Sequence, residues 1–435
     1  DGVSASNNTD IGGVSIAEGM LPSNVNNSMR ELTKQLGAFA DGTDGVDVLK
    51  FQDDTDTNSI KLQAPSSVTT NTTFTLPDGD GSADQVLKTD GSGQLGFADR
   101  HANPSLVING QMQVAQRGTS STGSGIGCVD RFTHSHVGGT VTSSQGSLSS
   151  SDTPYSLGFR NYIRMANDAT TSAANGQRQI YQNIEAQNLA NSGWNYTSSS
   201  SYVTVSFWVR SSLAGKYGAY LLTYDGTAQQ FSFTYTLSAN TWTKVTKTIA
   251  GNSSLTFDND NGLGMSLVVY SWLGTDYTDS TATMDAWVTN DATKYFQEDL
   301  ADWAGTLNAT LDVTGVKLEL GQTATDFVHE DYGTTLRKCQ RYYYQTIDTL
   351  RYMSQGPVSS QAWEWIDLPV TMRAQPTALV YGSPNEADVG KAVQDGGDKE
   401  TLTLYLSPSV LGLLCATSTS GQNLLFYKIK VDAEV

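Results

Sequence analysis

Aromatic residues in polar loops are the residues of this chain whose chemistry is easiest to assign, and they suit carbohydrate binding. Flat rings can cover the C–H faces of a sugar, while neighbouring Asn, Asp and Gln side chains hydrogen-bond its hydroxyls. Stretches such as NSGWNYTSSS and SWLGTDYTDS supply both features, and the candidate contacts are Trp194, Tyr196, Trp272, Tyr277, Trp287 and Trp303. The competing interpretation is that these rings cover sheet edges or pack between chains.

Carboxylates are abundant, but their spacing does not identify a catalytic pair. Cleaving a glycosidic bond needs two carboxylates across a cleft. The acidic residues instead lie in turn-rich stretches, where carboxylates usually cap turns: Asp258, Asp260, Asp276, Asp279, Asp285, Glu298, Asp299 and Asp302. The chain also has no GxSxG, HExxH or P-loop motif. We therefore expect a protein that is not an enzyme.

Two histidines and two acidic stretches define the possible metal sites. His134 and His136 are two residues apart, so on a strand they project from one face, together with Asp130. That pair could hold a metal, although surface or interface histidines are the simpler interpretation. The stretches 258–260 and 312–319 could supply oxygen ligands for Ca²⁺. The sequence requires neither ion, so no cofactor is predicted, with a structural Ca²⁺ as the open alternative.

Composition restricts the partners of the protein. The chain has 435 residues, with 26 Lys and Arg against 44 Asp and Glu, and a net charge of −18. Such a negative field disfavours nucleic acid and anionic membranes as partners. No apolar run is long enough for a membrane-spanning helix, so membrane insertion is not expected. Cys128, Cys339 and Cys415 lack CxxC spacing and are expected to be buried free thiols, made in a reducing cytoplasm.

Apolar residues at heptad spacing predict a helix near the N-terminus that associates with copies of itself. The steps of four, three, four and three residues place one stripe of the helix against neighbouring helices, through Val25, Met29, Leu32, Leu36 and Phe39. A helix of about four turns is marginal alone in water. We therefore expect residues 1–45 to hold several copies of the chain together.

Low charge content and short alternating segments predict a mainly β protein. Charged residues make up 16% of the chain, and the abundance of Ser, Thr, Asn, Gln and Gly favours strands with polar turns. Alternation is clearest in the stretch VTVSFWV, where Val203, Val205, Phe207 and Val209 face one way and Thr204, Ser206 and Trp208 the other.

Four further regions follow the N-terminal helix. Residues 46–102 contain strands too short to build a core, which predicts a β shaft intertwined between chains, or a linker. Residues 103–330 contain about nine candidate strands and predict a jelly-roll sandwich, with a long insertion at 275–310. Residues 331–345 predict a hinge helix, and residues 346–435 predict a distal β tip.

Two further aromatic groups are expected to pack rather than bind. Trp363 and Trp365 alternate along a predicted strand of the tip, so both rings share a face. One face of a strand is more typical of a core or a trimer interface than of a sugar platform. The three tyrosines at 342–344 are expected to pack the hinge helix between subunits, because aromatic residues are enriched at interfaces.

Three sets of sequence resemble tail fibre and receptor-binding proteins of tailed bacteriophages. DIGGVSIAEGMLPSNVNNSMRELTKQL is similar to the N-terminal anchoring region of many tail fibres, and FTLPDGDGSADQVLKTDGSGQLGFAD to a segment ahead of many fibre distal domains. A third set resembles a carbohydrate-binding-module-like sandwich common in such fibres: NPSLVINGQMQVAQRG, CVDRF, VTVSFWVRSSLAG, WTKVTKTI, VTGVKLELGQTATDF and LRKCQRYYYQ. Together the three sets cover about residues 10–345.

The resemblance implies an elongated homotrimer that attaches a virion to its host. A phage tail adaptor or nozzle protein would hold the N-terminal end, and the distal end would bind a surface glycan or an outer-membrane protein by multivalent, non-covalent adhesion. The protein would be made in the host cytoplasm and located in the phage tail. Three alternatives stay open: a glycan depolymerase tailspike, a structural spacer fibre that carries another adhesin, and a secreted carbohydrate-binding module.

Overall fold

The computed structural model describes most of the chain. The described residues are 10–11, 14–15, 22–40, 48–52, 59–63, 66–67, 69, 73–81, 85–99, 103–346, 350–353, 361–383, 386, 388–394, 399–416, 423–426 and 428–434. The chain divides into two compact units, Asp1–Ser82 with Leu87–Ala98, and Ala83–Val86 with Asp99–Val435.

Strands outnumber helices in the described part of the chain. The helices are α1 (Pro22–Ala40), α2 (Thr153–Ser156), α3 (Ala186–Ala190) and α4 (Tyr332–Gln340), with 3-10 turns at Thr275–Tyr277 and Ala292–Lys294. The strands are β1 (Asp10–Ile11), β2 (Val14–Ser15), β3 (Val48–Gln52), β4 (Ser59–Gln63), β5 (Gln85–Thr89), β6 (Leu95–Asp99), β7 (Ser120–Ser121), β8 (Thr133–Val137), β9 (Val141–Ser147), β10 (Asn161–Asn167), β11 (Gln177–Glu185), β12 (Tyr202–Ser211), β13 (Gly215–Thr223), β14 (Gln229–Leu237), β15 (Thr243–Ala250), β16 (Leu263–Leu273), β17 (Trp287–Thr289), β18 (Thr310–Leu320), β19 (Tyr343–Gln345), β20 (Leu350–Met353), β21 (Gln361–Asp367), β22 (Thr377–Tyr381), β23 (Lys391–Gln394), β24 (Lys399–Leu406), β25 (Val410–Ala416), β26 (Asn423–Phe426) and β27 (Lys428–Asp432). The predicted mainly β class is confirmed.

Helix α1 exposes the apolar stripe that its sequence predicts. Val25, Met29, Leu32 and Leu36 have exposed fractions of 44%, 64%, 44% and 59%. The side chain of Phe39 lies outside the described residues. The 19-residue helix is confirmed, while the homotrimer stays a prediction, because the structure contains a single chain.

The short strands after α1 pair within the chain. Strands β3 and β4 pair antiparallel, and β5 and β6 form a second two-stranded sheet. In the turn between β5 and β6, the Asp90 carboxylate accepts hydrogen bonds from the backbone N–H of Ser92 at 2.8 Å and of Gln94 at 3.1 Å. A polar turn therefore brings β5 and β6 together within the chain. The shaft intertwined between chains stays a prediction, because the structure contains a single chain.

Two six-stranded sheets form a β-sandwich. The first sheet has the order β15-β12-β18-β10-β9-β7, and the second has the order β17-β14-β13-β16-β11-β8. One core fills the space between them, with Ile163 and Val313 from the first sheet and Phe233 and Leu267 from the second. Burying each such side chain stabilises the fold by roughly 1.5–3 kcal/mol. The predicted sandwich is present, with twelve strands rather than nine.

The alternation predicted for β12 is confirmed. Its inward side chains are fully buried in the core: Val203, Val205, Phe207 and Val209. Trp208 and Arg210 stand on the opposite face, and both are only partly buried. The outer face of the first sheet is therefore built largely from polar positions, with Trp208 among them.

The predicted insertion folds onto the outer face of the second sheet. Tyr220 and Tyr270 point outward from that sheet, and Phe296 from the insertion packs against both as a fully buried residue. The ring of Tyr295 stacks on Tyr220 at 4.7 Å between centroids. The hydroxyls of Tyr220 and Tyr270 lie 2.9 Å apart in a hydrogen bond. This segment therefore buries aromatic side chains that the sheet alone would leave in water.

The C-terminal domain contains a three-stranded sheet, β19-β27-β22, and a six-stranded sheet, β20-β26-β23-β24-β25-β21. Its core includes Val380, Leu411, Ile429 and Val431. Helix α4 precedes it and begins at the cap residue Asp331, whose carboxylate accepts a hydrogen bond from the N–H of Thr334. The helix ends at Gln340, before the three predicted tyrosines, because residues 343–345 pair with β27 as a strand.

A buried ion pair joins the end of α4 to the sandwich. The Arg341 guanidinium donates to both carboxylate oxygens of Glu185, at 3.0 and 2.9 Å, and the Tyr342 hydroxyl also donates to Glu185. Burial acts to raise the pKa of Glu185, but these hydrogen bonds outweigh it and leave the pKa lowered. Such a bidentate pair holds its geometry firmly. This pair connects the end of the predicted hinge helix to the sandwich within one chain, and its role as a hinge stays a prediction.

A second contact fixes the last strand to the sandwich. Arg117 pairs with Asp432 at 2.9 Å and with Glu434 at 3.4 Å, and Arg131 pairs with the other oxygen of Glu434. The Arg117 guanidinium also lies over the ring of Tyr343, 3.6 Å from its centroid. Of the tyrosines predicted to pack between subunits, Tyr342 and Tyr343 therefore contact the sandwich of the same chain. Tyr344 packs on the core of the C-terminal domain.

Candidate functional site

A groove of about 300 Å³ opens on the outer face of the first sheet. One wall comes from β12 and β15, the floor from β18, and the other wall from the loops at 157–159 and 325–329. Its aromatic and polar lining includes Phe159, Ser206, Trp208, Lys244, Asp326, Phe327 and His329. Rings beside hydroxyl, ammonium and carboxylate groups are the combination that binds a polyhydroxylated ligand.

Gly315 makes the space for this groove. Its φ of +63° lies in the left-handed region, at the irregularity where β18 shifts register against β12 between Ser206 and Trp208. A Cβ atom at this position would stand 2.8 Å from the ring of Phe159 and 3.2 Å from that of Trp208. Any larger residue would therefore both strain the backbone and fill the groove between the two rings.

The second wall is an aromatic cluster held by hydrogen bonds. The rings of Phe159, Phe327 and His329 lie with centroids 4.8 to 5.2 Å apart. His329 is fixed at both ring nitrogens, with Nε2 2.8 Å from the carbonyl oxygen of Leu157 and Nδ1 2.9 Å from Oε1 of Gln111. The wall is therefore positioned before any ligand arrives, which lowers the entropic cost of binding.

A buried charged pair anchors the loop that carries Phe327. Lys317 Nζ lies 2.9 Å from Glu319 Oε2 and 2.7 Å from Thr325 Oγ1, and it also donates to the carbonyl oxygen of Asp326. Burial lowers the pKa of Lys317, and Glu319 opposes that effect. Glu319 is fully buried. Its carboxylate is therefore occupied by the loop contact and does not face the groove.

An ion-pair network continues along the same outer face. The buried Asp312 carboxylate accepts from Arg164 Nε at 2.7 Å and from Arg210 Nη2 at 2.8 Å. Arg210 also reaches Asp152 at 2.9 Å and lies over Trp242, 4.6 Å from the ring centroid. Two arginines pair with Asp312 and a lysine pairs with Glu319, so both carboxylates of the stretch 312–319 are already engaged, at the position where the sequence left a structural Ca²⁺ open.

The structure places Trp194 and Trp303 inside the molecule. Their exposed fractions are 3% and 0%, and both belong to the core between the sheets. Trp194 packs against Tyr196 and Phe257, with ring centroids 6.2 and 6.1 Å away. A ring with so little surface cannot stack on a sugar, so we do not retain these two tryptophans as contacts.

The other four candidate aromatics are partly buried and lie apart from the groove. Trp287 packs on Phe231 and donates its indole N–H to the carbonyl oxygen of Ala250 at 2.8 Å. Tyr277 stacks on a neighbouring tyrosine of the insertion. Trp272 lies over Gly176, where a Cβ atom would come within 2.6 Å of the indole. None of the six predicted residues lines the groove.

Trp208 is the groove residue that sequence reasoning missed as a contact. The alternation in β12 already placed it on the polar face with Thr204 and Ser206, and a tryptophan on a polar face is an informative exception. Phe159 and Phe327 carried no such signal, because their loops approach the sheet only in the folded chain.

The two histidines of β8 form a stacked pair rather than a metal centre. Their ring centroids are 5.9 Å apart and nearly parallel. His134 is fully buried, and burial together with the imidazole of His136 lowers its pKa to about 4. Burial also lowers the pKa of His136, as does Arg178. Within the described ranges, no cluster of three His, Cys, Asp or Glu residues could hold a metal ion.

Two of the three cysteines are buried in the folded chain. Cys128 and Cys339 are buried free thiols, as predicted, and burial raises the pKa of both. The side chain of Cys415 lies outside the described residues. Among the helices that the structure describes, none is both long and apolar enough to cross a membrane.

Comparisons with known proteins give distant likenesses in fold. No known family model matches the chain, and no curated protein sequence matches it. The xylan-binding CBM22-1 domain of Paenibacillus barcinonensis Xyn10C is 10% identical, with 51% of this chain and 98% of that domain covered and a TM-score of 0.25. The N-terminal cellulose-binding domain of Cellulomonas fimi β-1,4-glucanase C is 9% identical, covering 49% and 99%, with a TM-score of 0.25. A cyclase from Fischerella sp. TAU is 10% identical, covering 52% and 100%, with a TM-score of 0.30. At these scores, the likenesses carry no functional argument for this chain.

Proposed function

We propose that this protein is a trimeric adhesin of a phage tail, a tail fibre or receptor-binding protein, and that its sandwich binds a glycan of the host surface. The observation that carries the glycan proposal is the groove between Trp208 and Phe327. It combines an outward tryptophan, a prepositioned aromatic wall and the polar groups of Ser206, Lys244 and Asp326. Affinity would come from several weak contacts made at once by three chains.

The proposed action is binding without catalysis. Glycoside hydrolysis uses two carboxylates on either side of the scissile bond. The described lining of the groove carries one carboxylate, Asp326, and the nearby Glu319 is buried against Lys317. The depolymerase alternative would require a second acid that the groove does not present.

The trimer proposal rests on helix α1. Four apolar side chains at heptad spacing are 44% to 64% exposed, and association with two further copies would bury them as an a/d seam. Together with the ordered resemblance in sequence, this supports assembly at the N-terminal end, attachment there to a tail adaptor or nozzle protein, and a location in the virion.

The groove is tested by replacing Trp208. Purified wild-type protein and Trp208→Ala are applied to an array of bacterial surface glycans, and dissociation constants are then measured for each glycan that binds. We expect at least a tenfold loss of affinity, about 1.4 kcal/mol, because the stacking surface is removed. Tyr332→Ala is the matched control, since Tyr332 is an aromatic residue with 54% exposure outside the groove.

Two outcomes would contradict the groove assignment. Equal binding by wild type and Trp208→Ala would remove the groove as the site. A wild-type protein that binds no glycan of the array would count against glycan adhesion and favour the spacer role.

The trimer is tested by introducing charged residues into the apolar stripe of helix α1. Leu32→Asp combined with Leu36→Asp places carboxylates in a closed apolar seam, where unpaired charges are costly. We expect the mass measured by light scattering to fall from three chains toward one. An unchanged trimer would show that α1 is not where the chains associate, and a wild-type monomer would contradict the trimer itself.

A further inference from the structure

The C-terminal domain carries two large exposed aromatic side chains on one face of its six-stranded sheet. Trp365 on β21 is 59% exposed, and Tyr405 on β24 is 44% exposed. Both lie directly across from Gly412 on the intervening strand β25. The three residues therefore form one row across three strands, about 10 Å wide at the usual strand spacing.

Gly412 allows the indole of Trp365 to lie flat on the sheet. A Cβ atom on Gly412 would come within 2.6 Å of Cζ3 of Trp365 and 3.0 Å of Cε3 and Cη2. The benzo ring thus rests on the glycine backbone, and more than half of the surface of Trp365 remains exposed. The opposite face of these strands faces the domain core, through Ile366, Leu411 and Leu413.

The surroundings of this row favour an uncharged ligand that can accept and donate hydrogen bonds. Thr403 and Asp367 occupy outward positions beside the aromatic row, and both are exposed. Beside this row, the charged side chain that the structure describes on the same face is Asp367, which is acidic, whereas Glu364 lies on the opposite face of β21. An anionic polymer would be repelled here, whereas a neutral sugar would not.

We infer that Trp365, Tyr405 and Gly412 form a stacking platform for a neutral polysaccharide, separate from the groove of the sandwich. The sugar rings lie with their C–H faces on the indole and phenol rings, and Thr403 and Asp367 bind hydroxyl groups at the edge. This platform goes beyond the proposed groove, because it lies in another domain and requires none of the groove residues. Its flat, open form suits the middle of a long chain rather than a chain end.

The platform is tested by affinity electrophoresis through gels that contain neutral polysaccharides, namely dextran, mannan, galactan and arabinoxylan, with alginate as the anionic comparison. The variants are Trp365→Ala, Tyr405→Ala and Gly412→Ala. Gly412→Ala keeps both aromatic residues but lifts the indole off the sheet, so it tests the geometry rather than the ring itself. Tyr332→Ala is the exposed aromatic control, and Trp208→Ala separates the platform from the groove.

The expected result is retardation of the wild type by at least one neutral polysaccharide and not by alginate. Trp365→Ala and Tyr405→Ala should each weaken that retardation at least tenfold, and Gly412→Ala should weaken it several-fold. Tyr332→Ala and Trp208→Ala should leave it unchanged. Circular dichroism melts of all variants confirm that each protein is folded.

Three results would overturn the platform. The first is retardation that Trp365→Ala and Tyr405→Ala do not alter, and the second is a wild type that none of the four neutral polysaccharides retards. The third is a change of oligomeric mass in Trp365→Ala by light scattering, which would make this face a contact between copies of the chain. Loss of retardation in Trp208→Ala alone would instead support the groove and exclude the platform.

Discussion

The two sheets of the sandwich differ in what lies on their outer faces. The second sheet places Tyr220 and Tyr270 outward, and the insertion covers them with Tyr295 and Phe296. The first sheet places Asp312 and the arginines that bind it outward, and two loops leave a groove beside them. Both sheets share the same core, so the difference lies only in the outward-facing positions of their strands.

This difference shows that the outward-facing residues of a sheet determine whether its outer face is covered by another segment or stays exposed to solvent. Aromatic side chains exposed to water would lower stability, so the outer face of the second sheet is stable only when the insertion covers its tyrosines. Ion pairs that are already satisfied need no cover, so the first face can remain open to a ligand. The sandwich thereby has one outer face that is covered by the insertion and one that stays open, where the proposed groove lies.

The largest loss of stability is expected when the insertion that covers the second sheet loses a buried side chain. Phe296→Ala deletes a fully buried ring that packs on Tyr270 and Gly218. We expect a loss of about 4 kcal/mol in the free energy of unfolding, measured by urea denaturation. Leu307→Ala, at a side chain with 56% exposure, is the control. A loss below about 1 kcal/mol would mean that the insertion is not needed to seal this face.

A smaller effect is expected on the first face when its central acid is removed. Asp312→Ala leaves Arg164 and Arg210 without their shared carboxylate. We expect a loss of about 2–3 kcal/mol in chemical denaturation, reduced from the fully buried case because both arginines are partly exposed. Asp299→Ala removes an exposed ion pair with Lys216 and should cost less than about 1 kcal/mol. Equal effects of the two variants would contradict the role assigned to Asp312.

The smallest predicted effect is a loss of stability at low pH. It should arise from a buried histidine in the interior of the sandwich rather than from either outer face. The pKa of His134 is about 4 in the folded protein and near 6.5 when unfolded. The unfolded state therefore binds more protons between these values, and stability falls as the pH is lowered through that window. We expect His134 to make the protein about 2 kcal/mol less stable at pH 5 than at pH 7.

The matched variant for this effect is His134→Leu. Comparing its unfolding free energies with those of the wild type at pH 7 and pH 5 isolates the histidine from the carboxylates that also titrate in acid. If the variant loses as much stability between the two pH values as the wild type, the buried imidazole is not responsible.

Elements with a strong local pattern could be predicted from sequence. The heptad steps placed α1, and alternation placed the inward valines of β12, because these signals depend on spacing alone. The end of α4 was wrong, because pairing of residues 343–345 with β27 is a contact across more than 80 residues. The same limit applies to β5 and β6, which pair with each other across the turn at Asp90.

The candidate site was harder to predict than the fold. Trp194 and Trp303 were chosen because their neighbours are polar, yet the chain folds their rings into the core. Trp208 was visible on the polar face of β12, but its meaning depends on Gly315 and on Phe327, which approach it only in three dimensions. An aromatic residue that becomes buried and one that lines a groove therefore have similar sequence surroundings. Only the folded positions of the neighbouring strands and loops distinguish them.

The contacts between the sandwich and the C-terminal domain determine how the protein responds to tension. Of the ion pairs that cross between these domains, one joins Arg341 to Glu185, and another joins Glu434 to Arg131. On the C-terminal side, the two paired residues are almost 100 positions apart in the chain. A force that pulls the two domains apart would therefore act on both ion pairs together. The link between the domains should for that reason resist extension more than either ion pair would alone.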